Sequence, residues 1–215
     1  MRKVGITGHT SGIGKEIYDF CMFRGYEVYG YSRANGFNMA ENEANDIIND
    51  ILRKDLDYVF NNAWFPRLQS KILKVLHTQW RDREGKYIIN TGSGSIYQPN
   101  LTGEIYEYDK KELRDYCLEA GSKWPYDNKC KIFNVSMGWV NTALVEENEN
   151  FIDPYDAALI MVNLMEDKPY IIPEIVVGNK QLPRKVTEEI VASAADYMVE
   201  SITQSNRLAF KNADK

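Results

Sequence analysis

The sequence of 215 residues is poor in histidine and cysteine, two of the residue types that most often bind zinc. His9 and His77 are the only histidines, which excludes a histidine-rich metal centre and disfavours a catalytic triad built on histidine. The three cysteines, Cys21, Cys117 and Cys130, are odd in number and lack the spacing of metal ligands. We therefore expect no metal, and we interpret the cysteines as buried free thiols in a reducing compartment.

Long apolar runs and an excess of positive charge are also lacking. No stretch approaches the roughly 18 consecutive apolar residues that indicate a membrane span. The formal net charge of −5 argues against a nucleic-acid-binding protein, which normally carries a basic face. The first residues, MRKVGITG, pass directly into a strand pattern without the apolar core of a signal peptide. We expect a cytoplasmic protein with neither a membrane nor a nucleic acid as partner.

Short apolar segments alternate along the chain with segments of helical period. The strand-like segments are residues 3–7, 27–31, 57–61, 86–90, 131–135 and 174–178. The helix-like segments are residues 13–24, 41–53, 67–80, 106–120 and 154–166. This alternation predicts an α/β fold, a Rossmann-like doubly wound parallel sheet with helices on both faces.

The pattern changes after the sixth predicted strand. Residues 1–180 suit one Rossmann-type domain, and residues 181–215 form a C-terminal helical extension and tail. Within the extension, residues 187–202 have the pattern of one amphipathic helix with no strand behind it. We expect this helix to pack on the domain or on a partner subunit.

Glycines at positions 8, 12 and 14 lie between the first predicted strand and the first predicted helix. Because glycine has no side chain, backbone N–H groups and the helix N-terminus of such a turn can approach a pyrophosphate. The spacing is neither G-x-G-x-x-G nor that of a P-loop. The alternative interpretation is a glycine-rich bend that binds nothing.

Five motifs follow one another along the chain. They are TGHTSGIG (7–14), NNAW (61–64), INTGS (89–93), YEYDK (106–110) and SMGWVNT (136–142). Their order and spacing resemble the short-chain dehydrogenases/reductases. The patterns of that family are T-G-x-x-x-G-I-G, N-N-A-G at the end of its fourth strand, a serine after its fifth strand, Y-x-x-x-K and P-G-x-V-x-T. The resemblance covers about residues 3–178, with Trp64 in place of a glycine and Met137 in place of the proline.

The resemblance implies a catalytic group of Ser93, Tyr106 and Lys110. Tyr106 would be the acid/base, Ser93 would hydrogen-bond the substrate oxygen, and Lys110 would hold the nicotinamide ribose. Tyr106 and Lys110 are spaced i and i+4, so we expect the ammonium to lie near the phenol and to lower its pKa. Ser95 replaces Ser93 if the loop register differs. The alternative is an ordinary helix tyrosine and a polar loop serine.

The resemblance also implies a nicotinamide dinucleotide. The expected cofactor-binding residues are Gly8, His9, Thr10, Ser11, Gly12, Ile13, Gly14, Ser32, Arg33, Asn38, Asn61, Asn62, Ala63, Lys110, Gly138, Val140 and Thr142. Ser32 and Arg33 directly follow the second predicted strand. A hydroxyl beside a guanidinium suits a phosphate, so we expect NADP(H) over NAD(H). A solvated surface arginine is the alternative. Thr142 is expected at the carboxamide, and Asn38 is expected to accept a hydrogen bond from the adenine.

The chain departs from the family pattern between NNA and Ser93, where about twenty residues are lacking. No asparagine occurs from residue 63 to 89, so the family's relay asparagine is missing or remodelled. The same helix contributes to subunit packing in the family, so we expect a homodimer or another homo-oligomer without assuming a tetramer. Three interpretations of Trp64 stay open: the ring narrows the cleft, it stacks on the cofactor or substrate, or it points outward and packs with Phe65. The short segment after Thr142 suggests an open site and a polar substrate.

Together these patterns predict an NADP-dependent short-chain oxidoreductase that interconverts a small-molecule carbonyl and an alcohol by hydride transfer. The alternative is a non-catalytic NAD(P)-binding sensor or scaffold that retains the fold. A sugar-nucleotide epimerase is disfavoured by the glycine spacing.

Overall fold

The structure is a computed structural model that describes residues 1–97, 102–145 and 147–179. The predicted C-terminal extension at 181–215, with its helix at 187–202, lies outside the described residues. In the part of the chain that is described, no helix is long and apolar enough to cross a membrane.

All six predicted strands are confirmed, as are the five helices predicted between residues 13 and 166. The strands are β1 (Lys3–Thr7), β2 (Glu27–Tyr31), β3 (Tyr58–Asn61), β4 (Tyr87–Thr91), β5 (Lys131–Met137) and β6 (Glu174–Val177). The helices are α1 (Gly12–Phe23), α2 (Asn45–Lys54), α3 (Leu68–Trp80), α4 (Glu104–Ser122) and α5 (Pro154–Val162).

The six strands form one parallel sheet in the order β2-β1-β3-β4-β5-β6. The chain moves from β1 outward to β2 and then returns past β1 to β3, so the order reverses between β1 and β3. In open α/β sheets, ligands bind beyond the carboxyl ends of the strands at such a reversal. The glycine turn follows β1, and the NNAW motif follows β3, so both motifs lie at this point of the sheet.

The chain has one strand fewer before the NNAW motif than the family pattern has. That motif follows the third strand here, not the fourth, because residues 32–57, all of which are described, contain no strand. Instead, two short 3₁₀ helices, Arg33–Asn35 and Glu41–Ala44, lead into α2.

Two helix boundaries differ from the sequence-based prediction by more than two residues, namely the start of α2 and the end of α5. The helix predicted at 41–53 begins only at Asn45, because Asn42, Glu43 and Ala44 have positive φ angles of 50°, 49° and 60°. Helix α5 begins as predicted, with the Asp153 carboxylate accepting a hydrogen bond from the Tyr155 backbone N–H at 2.8 Å. It ends early, and its final turn is a 3₁₀ helix.

Helices cover both faces of the sheet. On one face α2, α3 and α4 pack around a core that includes Ile72, Leu76 and Trp80. On the other face α1 and α5 pack around Ile17 and Met161. Each fully buried side chain of this size contributes about 1.5–3 kcal/mol of hydrophobic free energy. The two cores fix the sheet, and with it the positions of the loops at the carboxyl ends of the strands.

The three cysteines are buried free thiols, as expected. Burial raises the pKa of Cys21 to about 12 and raises the pKa of Cys117 and Cys130 further. The thiols therefore stay protonated at neutral pH, and thiolate chemistry is disfavoured at all three positions.

Candidate active site

The glycine turn between β1 and α1 has the geometry of a cradle without side chains. Gly8 and Gly12 have φ angles of 72° and 52°, in the left-handed region that favours glycine. A Cβ at Gly14 would lie 2.8 Å from the carbonyl carbon of Gly8 and closer still to its oxygen. Gly14 thus lets α1 begin directly against the turn.

The first turn of α1 leaves its backbone N–H groups free of side-chain capping. Ser11 is the N-cap residue, and its side chain makes no cap hydrogen bond within the described chain. The first turn of α1 also contains no acidic residue. Uncapped N–H groups at the positive end of a helix dipole suit an anion such as a pyrophosphate. The turn therefore fits the dinucleotide that the motif implies.

Side chains at the carboxyl ends of β1, β3 and β4 tie the site together. The Thr7 hydroxyl accepts hydrogen bonds from the backbone N–H groups of Asn62 and Ala63, each at 2.9 Å. The Asn62 amide donates to the Thr7 carbonyl at 3.2 Å, and its side-chain oxygen accepts from the Thr91 hydroxyl at 3.0 Å. Asn62 is thus a structural link between three strands as well as an expected cofactor residue.

Ser93, Tyr106 and Lys110 lie together beyond β4. The Ser93 hydroxyl lies close enough to Tyr106 to lower the pKa of its phenol through hydrogen bonding. Ser93 Oγ also lies 2.9 Å from Ser95 Oγ and accepts from the Ser95 backbone N–H at 3.2 Å. Lys110 Nζ lies 5.3 Å from the centroid of the Tyr106 ring. Both candidate serines are therefore buried in one hydroxyl cluster, and Ser93 is the one that affects the pKa of the tyrosine.

The charge states of the pair differ from the sequence-based expectation. Burial raises the pKa of Tyr106, and the Ser93 hydrogen bond only partly opposes this rise. Burial lowers the pKa of Lys110 to about 7, although the Asp109 carboxylate works in the opposite direction. The expectation that Lys110 lowers the pKa of Tyr106 is therefore wrong for this structure. Desolvation is the largest cause of the pKa shift at both groups. It favours the neutral phenol of Tyr106 and the neutral amine of Lys110.

Trp64 packs on the tyrosine. Its ring centroid lies 5.0 Å from that of Tyr106 at an interplanar angle of 73°, an edge-to-face contact. The buried Asp109 carboxylate accepts from Trp64 Nε1 at 3.3 Å and from the Arg67 backbone N–H at 2.7 Å. Of the three interpretations of Trp64, the structure shows packing, but against Tyr106 rather than outward. The ring forms one wall beside the phenol.

Gln69 is a buried polar residue of the site that the motifs did not identify. Its side-chain oxygen accepts a hydrogen bond from Lys110 Nζ at 2.7 Å. Lys110 Nζ also donates to the Thr91 carbonyl at 2.7 Å. Gln69 is the second residue of α3. This helix lies within residues 63–89, the part of the sequence that lacks the family's relay asparagine.

The loop after β2 places Arg33 at the surface. Ser32 caps a 3₁₀ turn in which its hydroxyl donates to the Asn35 side-chain oxygen at 3.2 Å. Arg33 is exposed, and its side chain has no hydrogen bond or ion pair with any described residue. Asn38 donates to Glu41 at 3.0 Å, and its oxygen accepts from the Ala40 backbone N–H at 3.2 Å.

His9 lies against Gly30 between the turn and β2. A Cβ at Gly30 would overlap the His9 ring, so the glycine makes room for the imidazole. The ring also lies 5.5 Å from that of Tyr18. Thr10 is exposed in the turn, and Ile13 is partly buried at the start of α1. His9 is thus fixed next to the end of β2, just before the loop that contains Arg33.

The segment after β5 approaches the turn through Thr142. A Cβ at Gly12 would lie 3.0 Å from Thr142 Cγ2, so these two residues are neighbours. Val140 forms a parallel bridge with Ile152. A Cβ at Gly138 would overlap the side chain of Asn179, whose amide donates to the Trp139 carbonyl at 2.7 Å. Asn179 is a second residue of this region that the motifs did not identify.

Asn61 is the expected cofactor residue whose side chain the structure places away from the turn. It is fully buried, and its amide donates to the Gln69 carbonyl at 2.9 Å and to the Asn90 side chain at 2.8 Å. Met137, which replaces the family's proline, is the last residue of β5 and pairs with Val177. A proline has no N–H for such a ladder, so methionine lets the strand continue to this point.

No protein-family model and no curated protein sequence matches the chain. Solved structures do match. The 3-alpha-hydroxysteroid dehydrogenase from Pseudomonas sp. B-0831, complexed with NADH, has 15% identity and a TM-score of 0.66 over 82% of this chain and 94% of its own. ElxO with bound NADP has 18% identity and a TM-score of 0.65 over 82% and 96%. A short-chain dehydrogenase/reductase from Vibrio parahaemolyticus has 17% identity and a TM-score of 0.64 over 83% and 100%. At these identities the likeness establishes the fold, which is the Rossmann-type fold of the short-chain dehydrogenases/reductases.

Proposed function

We propose that the protein is an NADP-dependent oxidoreductase that interconverts a small-molecule carbonyl and an alcohol. The observation that carries the proposal is the meeting of Ser93, Tyr106 and Lys110 beyond β4, on the same edge of the sheet as the uncapped glycine turn. Two of the structural neighbours are complexed with nicotinamide dinucleotides, NADH in one and NADP in the other. The shared fold supports a site of the same type here.

The glycine turn and the first turn of α1 would hold the pyrophosphate of the cofactor. Thr142, which lies against Gly12, is near enough to the turn to serve the carboxamide end. The exposed guanidinium of Arg33 would pair with the 2′-phosphate of NADP, because arginine binds phosphate with two parallel hydrogen bonds. A dinucleotide bound in this way would supply or accept the hydride.

Tyr106 supplies the proton in the proposed reaction. Because burial keeps its phenol protonated, Tyr106 can donate a proton to the carbonyl oxygen while the carbonyl carbon receives the hydride. The products are the alcohol and a tyrosinate. In the reverse direction the tyrosinate accepts the alcohol proton. Ser93 holds the substrate oxygen next to the phenol, and Lys110 in its charged form stabilises the tyrosinate.

A panel of carbonyl compounds with NADPH, followed by loss of the nucleotide's absorbance, tests the proposal. We expect Tyr106→Phe to lose turnover and retain nucleotide binding. Tyr108→Phe is the matched control, because Tyr108 lies on the same helix and is 67% exposed. Turnover that persists in Tyr106→Phe would contradict the assigned role.

A second candidate is a non-catalytic NAD(P)-binding sensor or scaffold. The contact of the Trp64 ring with Tyr106 supports this candidate, because the indole leaves less room beside the phenol than a glycine would. A sensor would bind the nucleotide and change conformation or partner without turnover. It would be insensitive to Tyr106→Phe, and this variant therefore separates the two candidates.

A further inference from the structure

The carboxamide of Gln69 is built into the floor of the site. The residue is 2% exposed, and its amide nitrogen donates to the Asn61 carbonyl at 2.7 Å and to the Thr91 carbonyl at 3.0 Å. These carbonyls end β3 and β4, so the two donated hydrogen bonds fix the orientation of the carboxamide. Because the amide nitrogen of Gln69 is directed at these two carbonyls, its side-chain oxygen faces Lys110 Nζ and accepts a hydrogen bond from it at 2.7 Å.

The ammonium of Lys110 is held by neutral acceptors alone. Lys110 is 2% exposed, and its hydrogen bonds go to the Gln69 side-chain oxygen and the Thr91 carbonyl, both at 2.7 Å. No described carboxylate forms an ion pair with it. Two of its three N–H donors are therefore directed into the floor, while Nζ stays 5.3 Å from the Tyr106 ring centroid.

We propose that Gln69 is a positioning residue for Lys110. Its oriented carboxamide fixes Nζ against the carboxyl ends of β3 and β4 and favours the charged form of the amine. The inference rests on the proposed function for its catalytic meaning, because Lys110 matters to turnover only if Tyr106 is the acid/base. The contact itself does not depend on that function and can be measured without it.

Titration of the lysine side-chain nitrogens by NMR in the full-length protein, with ¹⁵N-labelled lysine, tests the proposal directly. Lys110→Arg identifies the Lys110 signal. Gln69→Met keeps the length of the side chain and removes the acceptor, whereas Gln69→Glu keeps an acceptor and adds charge. Gln79→Met and Gln79→Glu are matched controls, since Gln79 is exposed on the same helix.

We expect the Lys110 midpoint to fall in Gln69→Met and to rise in Gln69→Glu, by about one to two pH units in each case. The Gln79 variants should leave it unchanged. A purely structural Gln69 would lower stability without moving the midpoint in opposite directions. Midpoints that stay fixed, or that move the same way in both variants, would overturn the proposal. If Gln69→Met does not fold, the direction of the shift in Gln69→Glu decides.

Activity gives a second readout if a carbonyl substrate is found. Gln69→Met should lower kcat and move the pH dependence of turnover in the direction of the NMR midpoint. If no carbonyl compound is reduced by the wild type, the proposed function fails while the NMR result stands by itself. If the wild type is active and Gln69→Met keeps its pH profile, the positioning role fails while the proposed function stands.

Discussion

Replacement of Lys110 by methionine should make the protein's stability less dependent on pH. In the folded protein without bound nucleotide, burial lowers the pKa of Lys110 from 10.5 to about 7. Between these values the unfolded chain binds a proton that the folded chain does not bind. Unfolding then takes up a proton, so Lys110 makes the free energy of unfolding rise with pH across this window.

The size of the effect follows from the two pKa values. The slope approaches about 1.4 kcal/mol per pH unit at the centre of the window. Near pH 7 the folded protein is still half protonated at Lys110, which reduces the slope there. From about pH 7 to about pH 9, the free energy of unfolding should therefore rise by about 2 kcal/mol on account of Lys110.

Urea denaturation of the wild type and Lys110→Met at both pH values measures this contribution. The free energy of unfolding of the wild type relative to the variant should increase by about 2 kcal/mol from the lower pH to the higher. Lys111→Met is the matched control, because Lys111 is the next residue on α4 and is exposed. A difference between wild type and Lys110→Met that is the same at both pH values would refute the assigned burial of the amine.

Three further substitutions have definite expected results. Gly14→Ala should abolish nucleotide binding, measured by fluorescence titration, because its Cβ would collide with the Gly8 carbonyl; Gly178→Ala, with open space around it, should bind normally. Asp109→Ala should lower the free energy of unfolding in urea by about 2–4 kcal/mol, since two N–H donors lose a charged acceptor. An unchanged urea midpoint would show that the two hydrogen bonds to the Asp109 carboxylate do not stabilise the fold. Trp64→Ala should raise kcat/KM for bulky ketones relative to small ones, and an unaltered ratio would exclude the indole as a wall of the site.

The sequence predicted the order of the elements well because strand and helix signals are local. Each strand is a short apolar run, and α5 starts at an Asp-Pro pair whose cap forms as expected. The error at α2 arose where Asn42, Glu43 and Ala44 adopt positive φ, a conformation to which glutamate and alanine give no sequence signal.

The motifs likewise predicted that Tyr106 and Lys110 lie close together, because the two residues are one helical turn apart. Gln69 escaped prediction because its role depends on packing against Lys110, which is 41 residues away in the chain. Asn179, 40 residues from Trp139, escaped for the same reason. Asp109 lies at an open position inside Y-x-x-x-K, and its contacts with Trp64 and Arg67 arise only when α4 packs beside the segment after β3.

The pKa of Tyr106 shows why spacing alone misjudged the electrostatics. The i and i+4 spacing correctly places an amine near the phenol, but it contains no information about desolvation. In the folded protein Lys110 is buried and Tyr106 is partly buried, and desolvation is the largest cause of the pKa shift at both groups.

Titration of the purified protein with NADPH and NADH, followed by nucleotide fluorescence, tests the central claim most directly. We expect NADPH to bind more tightly, by about 10- to 100-fold, because one arginine–phosphate contact contributes about 1.5–3 kcal/mol. Arg33→Ala should remove most of this preference and leave NADH binding unchanged. Tighter binding of NADH would contradict the role of Arg33 alone. A folded protein that binds neither nucleotide would contradict the assignment of the turn at residues 8–14 as a dinucleotide site, and with it the proposed oxidoreductase function.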